Sequence, residues 1–379
     1  MLSRTSIAIV GGGLSGLYAA YLLEQEGIDY VLLDAQDRSG GRLLAADHQG
    51  ARVDLGATWF WPEIQAEPWA LVQALQLPTF RQPEAGDFLI DASPHMAPRR
   101  ISAGTQESTA SMRMAGGLAA LADALRARLP SARLRLGHRV SAVHRLESGA
   151  VRIHAIGAQG PRELEAHQVL LALPPRLAVD SIAFAPPLPA ALAKAWAACP
   201  TWMAPHAKYV ALYPRPFWRA QGLSGAARSY AGPMAEIHDA SPLQGAGALF
   251  GFIGIHASAR RQLGEQALLA HCRQQMGRLF GAEALQPSAE WIKDWSQDAY
   301  TASAADTEGA GGHPTAPAMA AHEGPWQACL LGIGSEWSAQ FPGYVAGAVD
   351  AATHGVQASL AAATLTKEQA GTAVKKETP

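Results

Sequence analysis

Ile7-Ala8-Ile9-Val10-Gly11-Gly12-Gly13-Leu14-Ser15-Gly16 decides the fold, together with the stretch that follows it as far as Val31-Leu32-Leu33-Asp34. Ile7 to Val10 reads as a buried strand, and Leu17 to Gly27 repeats apolar residues at helical spacing. Gly11, Gly13 and Gly16 between them fit G-x-G-x-x-G, so the strand turns sharply into the helix. The first helical amides, those of Leu14 and Ser15 among them, then meet the positive end of the helix dipole and can hold a pyrophosphate. Asp34 closes the second strand 18 residues beyond Gly16 and is followed by Ala35. A carboxylate there suits a ribose 2′-OH better than a 2′-phosphate. The pattern implies a dinucleotide cofactor, and NAD and FAD both satisfy it.

The 379 residues allow two or three domains, and a net charge of −2 points to neither nucleic acid nor an anionic membrane surface. Cys199, Cys272 and Cys329 are far apart and odd in number, and the thirteen histidines lack ligand spacing. Neither a disulfide framework nor a metal site is expected. The first strand starts too early for a secretory leader and no apolar run reaches 18 residues, so the expectation is a cytoplasmic protein outside the membrane. Of 30 basic residues only six are lysines, and Lys208 alone lies in an apolar strand-like stretch.

Further along, Val53 to Trp59 reads as a strand entering a small-residue turn, the small residues suggesting backbone pressed against a ligand. Helices are expected after Pro62 as far as Gln76, over Leu118–Leu129, up to Trp196, over Glu265–Gly281 and over Gly343–Leu360. Strands are expected over Arg133–Val143, Ala150–Ile156, Gln168–Ala172, Lys208–Tyr213, Ala248–Ile255, Glu290–Trp295 and Cys329–Gly334. Gln82 to Ile101 reads as irregular or edge structure, Ala299 to Ala321 as a long loop, and 366–379 as a disordered tail.

Ser39-Gly40-Gly41-Arg42 resembles the Gly-Gly-Arg turn of FAD-dependent amine oxidases, and from Ile7 to about Leu360 the chain resembles the flavin-dependent monoamine and polyamine oxidase family. The matching pieces are Val53-Asp54-Leu55-Gly56-Ala57-Thr58, Met114-Ala115-Gly116-Gly117-Leu118, Gly137-His138-Arg139-Val140, Ala183 to Pro189, Lys208-Tyr209-Val210, Pro216-Phe217-Trp218-Arg219, Ser335-Glu336-Trp337 and Gly343 to Ala348. The resemblance implies that Gly41 and Arg42 meet the cofactor phosphates, and that Gly56, Ala57 and Thr58 turn against the flavin. Val140 would touch the adenosine end through its backbone, and Glu336, Tyr344 and Val345 would close the cofactor site. It further implies that Lys208 holds a water at flavin N5, that Tyr344 flanks the substrate amine, and that Trp295 stands beside the flavin. Where covalent members carry Cys-Tyr this chain has Ala304-Ala305, so the FAD is expected to be non-covalent. The second aromatic of the amine cage is missing unless Trp59, Trp61 or Phe341 supplies it, and the segment 62–111 is much shorter than in the animal enzymes.

The expected architecture is α/β, a discontinuous Rossmann-like FAD-binding domain (1–61, 112–176 and 295–365) with an α+β substrate domain built on a mixed sheet (62–111 and 177–294). The expected activity is oxidation of a primary or secondary amine to an imine, by hydride transfer to the flavin and reduction of O2 to H2O2. An amino-acid oxidase using Arg52, Arg113 or Arg228 for a carboxylate, a flavoprotein desaturase, and an inactive FAD-binding protein are the alternatives. The oligomeric state is open, a homodimer included.

Overall fold

A computed structural model of the chain describes residues 3–102, 109–308 and 312–376. Two compact units result, one made of Met1–Gly41, Ala122–Trp202 and Gly312–Pro379, the other of Arg42–Leu121 and Met203–Gly311. The first unit hands over at Gly41 and resumes at Ala122, where the sequence suggests 61 and 112. Among the described residues no helix is long and apolar enough to cross a membrane.

The first unit is built on an eight-stranded sheet. Ser3–Val10 lies between Tyr30–Leu33 and Gly160–Leu171, parallel to both, and Leu134–Arg135 and Leu330–Gly332 extend the parallel part on either flank. Gly160–Leu171 is longer than the expected strand because its halves serve different partners. Its polar first half pairs antiparallel with Val151–Gly157, and its apolar second half enters the parallel sheet. Arg139–Arg145 and Ala183–Ala185 complete the sheet. Ala8, Val10, Val31, Leu33, Val169 and Leu171 share one core with Trp196, Trp326 and Trp337. Leu14–Gln25 packs on the last helix, Val345–Lys376, which carries helical backbone into the stretch where a disordered tail is expected. Alanine, lysine, glutamate and glutamine there are good helix formers. Residues 377–379 lie outside those described.

The second unit carries a seven-stranded mixed sheet in the order Ala289–Asp294, Ala207–Tyr213, Gly247–Ile253, Met234–Asp239, Leu223–Ser229, Asp87–Asp91, Arg99–Ile101. Leu223–Ser229 and Met234–Asp239 do not stand out in the sequence, because Leu-Ser-Gly-Ala-Ala-Arg-Ser has little alternation and a glycine in its middle. Ala207–Tyr213 is flanked by strands on both sides and buried along its whole length. Period two divides it. Ala207, Tyr209, Ala211 and Tyr213 face the helix Glu265–Phe280 through Leu268, Cys272 and Met276, whereas Val210 and Leu212 join Val53, Ala248 and Phe250 on the other side.

Buried Asp239 pins this unit, accepting hydrogen bonds from the Trp218 indole (2.9 Å), Arg219 (2.8 and 3.0 Å) and the Ser241 amide (2.8 Å). Asp239→Ala leaves an indole N–H and an amide buried without an acceptor. The expected loss is about 2–3 kcal/mol, read as a lowered urea midpoint with an unchanged slope.

Candidate active site

In the first unit the glycine-rich turn and the Gly-Gly turn meet backbone to backbone. The Gly40 amide donates to the Gly12 carbonyl (2.8 Å), Gly13 bridges to Gly40, and a Cβ on Gly41 would stand 3.1 Å from Gly13 Cα. Gly11 has φ +110°, and a Cβ on Gly16 would sit 1.9 Å from the Gly11 carbonyl oxygen. Only glycine fits at either position. The helix Leu14–Gln25 opens with no side-chain cap and no acidic residue in its first turn, so its first amides meet no carboxylate of that turn. At Gly13 a Cβ would meet nothing nearer than Gly41 Cα at 3.9 Å. A side-chain-free wall at a helix N-terminus suits a pyrophosphate.

Asp34 lies at the end of its strand, Oδ2 accepting from the Gly12 amide (2.5 Å) and Oδ1 from the Gln36 amide (2.7 Å). Val140 is buried where the register of its strand slips before Ala142. Glu336 is fully buried in the turn Ser335–Trp337 and accepts from the Ser335 hydroxyl (3.0 Å).

In the second unit, Lys208 occupies the strand face opposite Tyr209 and is 3% exposed. Its Nζ donates to the Gly56 carbonyl (3.0 Å) and the Thr58 hydroxyl (2.6 Å), with the Phe250 ring centre at 4.0 Å. The small-residue turn is therefore tied to this strand. The backbone pressed against Gly56 is the chain's own, since a Cβ there would lie 1.8 Å from the Arg42 carbonyl oxygen. Two buried charges share the region. Asp54 lies against Gly117 and the amides of Leu118 and Ala119, and Arg113 spends its terminal nitrogens on the carbonyls of Ser241 (2.7 Å) and Ala240 (2.9 Å).

Burial pushes Lys208 down to about 7, with Asp54 opposing and Arg113 reinforcing the shift. Burial likewise pushes Asp54 up to about 6, against the pull of Lys208 and Arg113. An ammonium that gives up its proton near neutrality is unusual for an ordinary structural lysine. Lys208 is lowered relative to the unfolded chain, so its contribution to stability is present at high pH and lost as pH falls through about 7. Wild-type protein should therefore gain stability between pH 7 and 9 relative to Lys208→Met, measured by urea unfolding at each pH.

Trp295 follows the edge strand Ala289–Asp294 and is 6% exposed. Its amide donates to the His206 carbonyl (3.1 Å), and the preceding Asp294 is gripped by buried Arg260 through both oxygens (2.7 and 2.8 Å). Lys293 Nζ lies 4.4 Å from the Trp295 ring centre. Trp59 packs on Phe250 and His238 and donates from its indole to Gln82 (2.8 Å). Half-buried Trp61 is fixed through its amide to the Gln65 side chain (3.1 Å).

Tyr344 belongs to the first unit, immediately before the last helix. Among the described residues its ring contacts are Trp202 (centroids 4.7 Å apart) and His313 (5.2 Å), not Trp59, Trp61 or Phe341. Phe341 instead turns the chain there, donating its amide to Ser338 (2.9 Å). Sequence reasoning missed Trp202 and His313 because they are remote in the chain from Tyr344. The signal present was the aperiodic stretch 299–321, expected to be a long loop, which contains His313; among its described residues the structure forms the short helix Ala304–Glu308, and residues 309–311 lie outside those described. It also missed Asp54 and the positions of Arg113 and Phe250 around Lys208.

The family model for flavin containing amine oxidoreductases matches residues 86–358, and a model for NAD(P)-binding Rossmann-like domains matches residues 9–75. The chain belongs to the flavin containing amine oxidoreductase family. It is an FAD-dependent oxidoreductase of the amine oxidase class. A relative from Mycobacterium tuberculosis, AofH, described as a flavin-containing monoamine oxidase, is 27% identical over 74% of this chain and 80% of its own. Human flavin-containing amine oxidase B is 38% identical, over only 21% of this chain and 16% of its own. Among solved structures, putrescine oxidase bound to putrescine matches with a TM-score of 0.78 at 19% identity, covering 95% of this chain and 100% of that one. Cyclohexylamine oxidase from Brevibacterium oxydans matches with a TM-score of 0.79 at 20% identity, covering 96% and 99%. The family's fold is thus present, the Rossmann-like sheet and the second mixed sheet together.

Proposed function

We propose that the chain oxidises a primary or secondary amine to an imine and passes the two electrons to oxygen, releasing hydrogen peroxide. The observation that carries the reading is Lys208, a fully buried ammonium tied to the Gly56–Thr58 turn in a member of this family. FAD, when bound, supplies the two-electron acceptor for the amine's α C–H bond and is regenerated by oxygen.

The cradle of Gly11, Gly13 and Gly16 fits a pyrophosphate held by the first amides of the helix, with Gly41 and Arg42 beside it. Asp34 and Ala35 at the strand end take the ribose side. Gly56, Ala57, Thr58, Val140, Glu336 and Val345 are assigned to the remaining cofactor contacts. The cofactor is held non-covalently, since Ala304 and Ala305 offer no sulfur and all three cysteines are buried. Lys208 presents a positive charge that favours the negative charge developing as oxygen is reduced. Tyr344 offers an aromatic face to the amine, and Trp295 is a rigid apolar neighbour. No side-chain base is required if the amine enters neutral.

Amino acids as substrates would need a free guanidinium to meet a carboxylate. Arg113 already serves two carbonyls, and Arg228 pairs with Glu236 at 3.1 Å. A screen of alkyl, aryl and cyclic amines alongside amino acids, scored for peroxide and for the aldehyde or ketone left by imine hydrolysis, tests the reading. Peroxide with amines is expected; turnover confined to amino acids would overturn it.

A further inference from the structure

We propose that His144 and His154, oriented by Glu163, form a two-imidazole site for a first-row transition-metal ion, Zn2+ or Cu2+, on the face of the antiparallel strands of the first unit turned away from its core. None of these residues has a part in the oxidation proposed above.

Arg139–Arg145, Val151–Gly157 and the first half of Gly160–Leu171 run side by side, and period two divides them. Val143, Ile153 and Leu164 enter the core. The alternate positions bring His144, His154 and Glu163 to the opposite face, with Glu163 directly across from His154. His144 Nδ1 lies 3.3 Å from His154 Nε2, and on the far side of the same ring His154 Nδ1 lies 3.2 Å from Glu163 Oε1. Two nitrogens bound to one tetrahedral ion at about 2.0–2.1 Å are about 3.3–3.4 Å apart. The pair therefore stands at ligand separation.

The carboxylate decides which nitrogen is available. His154 donates its Nδ1–H to Glu163, which leaves Nε2 with a bare lone pair facing His144. Without metal, His144 donates its own Nδ1–H to that lone pair. The metal takes the place of this proton, which moves to His144 Nε2 through solvent, so both rings stay neutral and each supplies one lone pair. A carboxylate behind a ligating imidazole is the usual outer-shell partner. The surroundings leave room for an ion. Ala142 stands across from His154 and Ala185 beside His144, so neither neighbour reaches over the pair. Both histidines line an open depression with Ser141, Ile156 and Glu163, where water completes the coordination shell. Arg152, across from His144, is held by Glu165 (2.9 Å), and Arg162 donates to Gln159 (2.6 Å), so both nearby guanidinium charges are engaged elsewhere. Among the described residues no three His, Cys, Asp or Glu side chains are grouped to hold a metal ion. The ion thus takes two ligands from the protein and the rest from water, the arrangement of an exchangeable site. In sequence the two histidines are 10 positions apart, a spacing that only an antiparallel register brings together.

The test titrates the tag-free, flavin-loaded full chain with Zn2+ and, separately, Cu2+ by calorimetry in a non-chelating buffer, with Mg2+ as the control. Wild type should bind Zn2+, Cu2+ more tightly, and no Mg2+. His144→Asn and His154→Asn should each remove this binding event, and Glu163→Gln, which leaves both imidazoles in place, should weaken it by about tenfold. The electron paramagnetic resonance spectrum of the Cu2+ complex should show two nitrogen ligands in wild type and still two in Glu163→Gln. Wild type that takes up neither ion, a binding event that both asparagine variants retain, or Cu2+ with a single nitrogen ligand would overturn the proposal. Wild type and Glu163→Gln decide the matter even if an asparagine variant does not fold.

Discussion

Lys208→Met slows reoxidation of the reduced enzyme by oxygen by about a hundredfold, the scale for removing one preorganised charge from a water-excluded site, and leaves reduction by the amine within a few-fold of wild type. The two halves separate because only the oxygen half develops new negative charge that an ammonium can meet. Methionine fills nearly the same volume, so the contact with the Phe250 ring is kept. The same assignment fixes a pH dependence. Burial pushes Lys208 down to about 7, so it loses its charge as pH rises through that value, and the wild-type reoxidation rate falls with it. In Lys208→Met this inflection is absent. Stopped-flow mixing of anaerobically reduced protein with oxygenated buffer from pH 6 to 9 reads both effects. Equal rates for the two proteins would refute the role.

The second large effect concerns the glycine cradle. Gly16→Val places a side chain where even a Cβ would lie 1.9 Å from the Gly11 carbonyl oxygen, so the strand–helix junction cannot close and the flavin is lost together with the fold of that region. Gly13→Ala separates cofactor from fold. Its methyl group would meet only Gly41 Cα at 3.9 Å within the protein, so the chain keeps its structure while the methyl occupies the wall offered to the pyrophosphate. FAD affinity should fall by at least about tenfold, equivalent to about 1.4 kcal/mol. Circular dichroism and urea unfolding of the apoprotein should change little. Full flavin affinity in Gly13→Ala would place the pyrophosphate elsewhere.

The nucleotide-binding fold was legible because local signals agreed. Ile7 to Val10 is apolar without interruption, the glycines stand where backbone must touch backbone, and the helix after them has its own period. Lys208 could be found because lysine is scarce in this chain and rare in a buried strand. Its surroundings could not. Asp54, Arg113 and Phe250 come to it through a sheet register and a turn that only tertiary structure sets, and Arg113 looks from the sequence like a free carboxylate binder although its two terminal nitrogens are spent on Ala240 and Ser241. The tyrosine of Gly343-Tyr344-Val345 was readable by resemblance. Its neighbours Trp202, 142 positions away, and His313, 31 positions away, were not, because ring contacts at such separations leave no periodic trace. The strand Leu223–Ser229 was hidden for a simpler reason, since small residues pack there without the alternation that reveals a strand.

Reduction of the FAD by an amine is read by anaerobic titration of the purified, flavin-loaded protein with amines while the visible spectrum is recorded. Acid should release intact FAD, an amine should bleach the flavin absorption without oxygen, and admitting air should restore it with one peroxide formed per flavin. A protein that takes up no FAD, or whose flavin stays oxidised with every amine while an amino acid or a carbon–carbon substrate bleaches it, is not an amine oxidase.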